Sequence, residues 1–172
     1  FGFDFVLVCI VLGGWGLFGW LVVVVCFLFF VPPERPGIFR VALISGASQV
    51  VVVNCTSGGD GGCIEAASLA ITHGSVTGRT CTADGKGGCL NAGQCVFSAA
   101  VVDVVGGRAK SGGGARFEDL VMVGGRIEAS GCSASGTGGG VYIYGDGHLS
   151  AGAVLRAQHC AGETGGGISV YD

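Results

Sequence analysis

Charge is scarce in this chain. Asp, Glu, Lys and Arg make up 12% of its 172 residues, nine basic against twelve acidic, for a net charge of -3. No Lys or Arg cluster offers an electrostatic footprint for a phosphate backbone, which excludes nucleic acid as a partner. Proline occurs three times, and the 36 glycines do not recur at every third position, so a collagen helix is excluded. No Cys-x-x-Cys pair occurs among the nine cysteines, and His73, His148 and His159 lie at no zinc-ligand spacing from a cysteine pair. Linear spacing therefore gives no structural zinc site.

What is abundant is divided unevenly along the chain. Residues 1–31 are apolar except for Asp4, long enough to cross a bilayer as a helix. A secretory signal would start with basic residues and carry a shorter apolar core. Of these 31 residues, 29 are Phe, Leu, Val, Cys, Trp or Gly, all encodable with T and G alone, and Ala, Ser, Thr and Met are absent. Two readings stay open: a helical transmembrane segment, or translated low-complexity nucleotide sequence. As a span, its flanking Arg35 and Arg40 would favour a cytoplasmic C-terminal side. The proline-rich run at 32–37 breaks any helix and marks the boundary of the segment that follows, 38–172.

That segment is a repeat. The triplets beginning at Gly61, Gly87, Gly112, Gly138 and Gly165 are separated by 26, 25, 26 and 27 residues. Three places into each unit stand Ile64, Leu90, Ala115, Val141 and Ile168; two further on stand Ala66, Ala92, Phe117, Ile143 and Val170. Between them come Glu65, Asn91, Arg116, Tyr142 and Ser169, so each unit opens with the in-out-in alternation of a half-buried strand. Further apolar columns are Leu69, Cys95 and Leu120; Ile71, Phe97, Met122 and Leu149; and Val76, Val102, Ile127 and Val154. Helical periodicity is missing, and β-branched residues dominate.

Three apolar bursts per unit predict three strands and three turns. The fold class read from this is all-β: a right-handed parallel β-helix, a three-sheet solenoid of about 26 residues per rung, preceded by the apolar N-terminal segment. Residues 41–59 read as an earlier, degenerate rung, and a coil that stops just after a triplet is expected to be cut at its C-terminus.

The runs Cys132-Ser-Ala-Ser-Gly-Thr-Gly-Gly-Gly-Val-Tyr-Ile and Cys160-Ala-Gly-Glu-Thr-Gly-Gly-Gly-Ile-Ser-Val resemble rungs of polymorphic outer-membrane proteins and related autotransporter-type β-helix repeat proteins. The resemblance covers roughly residues 38–172, without the companion Phe-x-x-Asn motif. It implies an exported, surface-displayed stalk or adhesin.

Candidate chemistry is sparse. Cys55, Cys81, Cys132 and Cys160 precede successive triplets by 6, 6, 6 and 5 residues and form one column, interrupted near Gly107. Cys63 and Cys89 form a second column inside the triplets. Stacked rungs bring such residues within disulfide range, whereas simple burial of small apolar side chains explains them equally, and an in-register stack aims sulfurs at one another poorly. His73-Gly74 matches one fragment of polygalacturonase-like motifs, but with no carboxylate pair beside it reads as a turn. Tyr142, Tyr144 and Tyr171 leave one face beside Arg116 and Glu118, a set suited to stacking on sugar rings and equally to cross-strand stabilisation. Asp119, Asp146 and Asp172 end the first strand of three rungs and would share a column if Gly145 is an inserted residue. Calcium is the cation that such a column would take, and Asp is also a favoured turn residue.

The expectation from sequence is a non-enzymatic, secreted or cell-surface solenoid for adhesion or display. Its partners would be surface glycans or host and cell-surface proteins, with a membrane anchor if 1–31 is a span, and no cofactor beyond calcium. The alternative is a fragment of a polysaccharide-active β-helix enzyme, a lyase or glycoside hydrolase with its catalytic rungs outside this segment.

Overall fold

Tight, evenly spaced glycine turns between β-branched stretches leave the chain one economical way to pair its backbone, by coiling each unit onto the next. A computed structural model describes residues 4–16, 19–31, 43–46 and 48–171. From residue 43 onward it is a parallel β-solenoid of about five turns. The first rung holds β3 (Leu43–Ser45), β4 (Gln49–Val53) and β5 (Thr56–Ser57), and the second β6 (Ile64–Thr72), β7 (Ser75–Arg79) and β8 (Thr82–Ala83). In the next two rungs the first two strands run on as one, giving β9 (Leu90–Val105) with β10 (Arg108–Ala109), then β11 (Ala115–Ser130) with β12 (Ser133–Ala134). β13 (Val141–Ile143), β14 (Gly147–Ser150) and β15 (Val154–Gln158) follow, and β16 (Ile168–Val170) opens another turn. All strand pairings within the coil are parallel.

Preceding the coil, β1 (Asp4–Gly16) and β2 (Gly19–Val31) pair antiparallel, from Asp4 against Val31 to Gly16 against Gly19. Val, Phe and Trp, abundant in this segment, favour an extended backbone. Among the described residues no helix is long and apolar enough to cross a membrane. The proline-rich boundary at 32–37 lies outside the described residues.

The inward columns form the core. Ile64, Leu90, Ala115 and Val141 are buried in register, as are Ala66, Ala92, Phe117 and Ile143. Phe97 and Phe117 meet edge to face at 5.7 Å on neighbouring rungs. Two expectations need correction at the C-terminal end. Ile168 stacks on Val141 but is 37% exposed, and Val170 is 58% exposed, because among the described residues no strand covers β16. Val154 does not continue the Val76 column: Leu155 pairs with Ile127, and Val154 with Arg126. An extra residue at the corner after β14 shifts the register by one, which exchanges the two faces.

Every rung turns three corners, and each corner has a residue at positive φ. The first column is Gly46, His73, Ala99, Gly124 and Ala151; the second is Asn54, Thr80, Gly106, Gly131 and His159; the third is Gly61, Gly87, Gly112, Gly138 and Gly165. Two corners accept side chains despite a cost of about 1–2 kcal/mol for L-residues in this region. The third is always glycine because a Cβ on Gly61 would stand 2.6 Å from the carbonyl oxygen of Ile64, and one on Gly138 would stand 2.7 Å from that of Val141. His73 and His159 are thus exposed corner residues.

Candidate functional site

The outward column of each rung's first strand, Glu65, Asn91, Arg116, Tyr142 and Ser169, runs in register up the coil. At its C-terminal end the chain stacks a second outward column. The Tyr144 amide donates to the Phe117 carbonyl and the Tyr171 amide to the Ile143 carbonyl, both at 2.9 Å. This seats Tyr171 on Tyr144, with rings 5.7 Å apart and 14° from parallel, while Tyr142 meets Tyr144 edge to face at 6.3 Å. The Arg116 guanidinium lies 5.7 Å from the Tyr144 ring centre. Arg116, Glu118, Tyr142, Tyr144 and Tyr171 are therefore brought together. Tyr144 and Tyr171 are 51% and 60% exposed, so the cluster presents an open aromatic surface.

Arg116 is the buried member. Its Nη1 donates to Asn91 Oδ1 at 3.3 Å and its Nη2 to Glu118 Oε1 at 3.3 Å, while its buried Nε has no protein partner. Asn91, itself buried, belongs to the cluster, and its place in the outward column directly before Arg116 was the signal that could have found it. Burial and then the Asp60 carboxylate push the Glu65 carboxyl up at the far end of the column.

The acidic column is only partly assembled. Asp119 Oδ1 accepts the Asp146 amide at 3.3 Å, across a rung lengthened by one residue between Ile143 and Gly147. Asp172 lies outside the described residues.

A second feature escaped sequence reasoning. A groove of about 240 Å³ on the strand after the first corner is lined by Arg79, Asp103, Glu128, Arg156 and Gln158, among others. Asp103 and Glu128 pair in register on adjacent rungs. Arg126 reaches Asp103 at 3.6 Å and Glu128 at 3.8 Å, and Arg156 reaches Glu128 at 3.7 Å. Their separations of 25 and 28 residues match no compact motif, so only the coil reveals them.

The cysteine columns meet. Cys55 and Cys63 of one rung are disulfide-bonded, with Cα atoms 5.1 Å apart. The sulfurs of Cys55, Cys63 and Cys81 lie within 4.8 Å of one another. The bridge joins the two columns within a rung, a pairing that considering each column by itself overlooks. Gly107 fills the gap in the first column as expected, and Gly114, Gly140 and Gly167 replace cysteine in the second. A Cβ on Gly114 or Gly140 would meet Cys132 Sγ at 3.0 Å or Cys160 Sγ at 3.1 Å. Burial pushes the Cys95 thiol up to about 12, helped by the Asp119 and Glu118 charges.

No family model, curated protein or solved structure matches this chain. The fold and its surface are what bear on function.

Proposed function

We propose that the chain is a non-enzymatic, surface-exposed or secreted solenoid used for adhesion or display, and that its contact patch is the Arg116–Glu118–Tyr142–Tyr144–Tyr171 cluster. The observation that carries this is the exposed, stacked Tyr144–Tyr171 pair backed by a buried guanidinium. An open tyrosine face offers apolar area with little side-chain entropy to lose, and the Arg116–Glu118 pair supplies polar groups at its edge. That combination suits a saccharide ring, whose axial C–H face stacks while its hydroxyls hydrogen-bond. The likeness of the rungs at Cys132 and Cys160 to those of polymorphic outer-membrane proteins supports a surface location, with glycans or cell-surface proteins as partners.

The test is affinity electrophoresis of the full chain through gels containing neutral or acidic polysaccharides. Retardation that disappears in Tyr144→Ala and Tyr171→Ala, with unchanged circular dichroism, supports the proposal. Equal mobility of wild type and both variants in every gel refutes the glycan contact.

The charged groove favours a second reading, a fragment of a polysaccharide-active lyase or hydrolase, because Asp103 and Glu128 share a cleft. Both are engaged by arginines in ion pairs across the groove. Reducing-sugar or unsaturated-product release that Asp103→Asn and Glu128→Gln abolish would favour this reading.

A further inference from the structure

We propose that Cys81 and Cys89 close a second disulfide directly stacked on Cys55–Cys63, so that the triplet corner of two successive rungs is covalently tied.

The inference rests on register. Cys55 and Cys63 are eight residues apart and bridged. Cys81 and Cys89 have the same separation one rung later and stand as buried free thiols in the structure. The two intervening loops stack residue for residue: Thr56 pairs with Thr82 and Ser57 with Ala83. Gly61 then donates to the Lys86 carbonyl at 2.8 Å, Gly62 to that of Gly87 at 3.1 Å and Cys63 to that of Cys89 at 3.3 Å. Unbroken register across the loop carries the backbone geometry of the first pair to the second, and a Cα separation near 5.1 Å lies inside the range a disulfide spans.

The side chains are aimed alike. Cys55 Sγ rests on the Val53 carbonyl at 3.7 Å, and Cys81 Sγ on the equivalent Arg79 carbonyl at 3.4 Å. A Cβ on Gly78 would stand 3.1 Å from Cys89 Sγ and 3.8 Å from Cys81 Sγ, so both sulfurs converge on the space this glycine leaves. The next rung has glycine at both places, Gly107 and Gly114, and the two after it keep cysteine only at the first, Cys132 and Cys160.

A metal held by all four sulfurs is the competing use. A tetrathiolate site would put net negative charge into a core where hydrogen bonding to Cys81 and burial already hold the Cys89 thiol far above its ordinary range. A neutral disulfide carries no such cost. Closure converts two thiols to one S–S bond with loss of two protons and two electrons. A small-molecule disulfide such as oxidised glutathione takes up both as it is cleaved to two thiols.

The test supplies that oxidant, so its outcome does not depend on where the protein resides or on the proposed adhesive role. The full chain is equilibrated with oxidised glutathione and with zinc ion in parallel, unfolded in acid with N-ethylmaleimide, and digested with trypsin without reduction. Cleavage after Arg79, Lys86 and Arg108 separates Cys81, on peptide 80–86, from Cys89, on peptide 87–108. The proposal expects these peptides joined, with fragmentation placing the link at Cys89 and the label on Cys95. Label on both Cys81 and Cys89, a link from Cys81 to peptide 41–79 or to Cys95, or one retained zinc with four free thiols would each overturn it. Because a Cys89→Ser variant can fail to fold, the assignment is read from the wild-type chain.

Discussion

Glycine serves two separable purposes in this coil, and substituting alanine at two positions should tell them apart. Gly131 sits at φ +60° with nothing within 4 Å of an added Cβ, so Gly131→Ala costs only the unfavourable backbone conformation, about 1–2 kcal/mol. Gly88 does not have a positive φ, yet a methyl there would overlap the Gly113 carbonyl oxygen and stand 2.6 Å from the Arg108 amide nitrogen. Neither neighbour is a flexible side chain. To make room the two rungs must separate at the triplet, where Gly88 donates to the Gly112 carbonyl at 3.0 Å and Cys89 to the Gly114 carbonyl at 2.8 Å. Losing two buried backbone bonds at roughly 1–3 kcal/mol each puts Gly88→Ala at about 2–6 kcal/mol, at or above the upper bound for Gly131→Ala. Urea unfolding followed by circular dichroism measures both. Equal losses, or a larger loss for Gly131→Ala, would refute the claim that rung spacing rather than backbone conformation demands the second glycine of the triplet.

Three further outcomes are expected. Arg116→Leu leaves the buried Asn91 carbonyl oxygen without its partner and lowers stability by about 1–3 kcal/mol, whereas adding Asn91→Leu restores part of the loss in thermal melts; additive losses would deny the coupling. The Cys95 thiol, raised to about 12, keeps its proton in the fold at pH values where the unfolded chain loses it. The folded state then binds more protons, so stability falls as pH rises from about 9 towards 12, and the fall is shallower in Cys95→Ala if the assignment is right. Asp119 acts as a turn acceptor for Asp146, so Asp119→Ala lowers the melting temperature while millimolar calcium leaves the wild type unchanged. A calcium-dependent rise that Asp146→Asn removes would instead assign an ion to the Asp119, Asp146 and Asp172 column.

Much of the coil was legible because its period and its inward columns are both written in large apolar residues. Leu90, Phe117 and Ile143 announce themselves. The third strand of each rung does not. Ser57, Ala83 and Ala134 fill its inward positions, so it gives no hydrophobic burst, while two bursts, as in Ile64–Ala66 and Leu69–Ile71, belong to a single strand with a break in phase. Three strands per rung holds for the first two rungs, through a partly wrong division, and in the next two the first two strands run on as one. The slip at Val154 has a related cause: residues inserted near Gly145 and Gly152 shift register without disturbing the triplets that define the period.

Sites were harder to read than the fold because the coil makes neighbours of residues one period apart. Tyr144 and Tyr171 could be paired from sequence because both follow an alternating apolar strand at the same offset. Asp103, Glu128 and Arg156 become neighbours only after the corners are counted correctly. The cysteine columns carry the same lesson in the other direction. Each column taken alone suggested stacking between rungs, whereas the bridge at Cys55–Cys63 closes across the short third strand, the element whose small residues had hidden it. A solenoid therefore exposes its core to sequence reasoning and conceals its surface chemistry, because the core repeats from rung to rung while each contact patch is made of the residues that break the repeat.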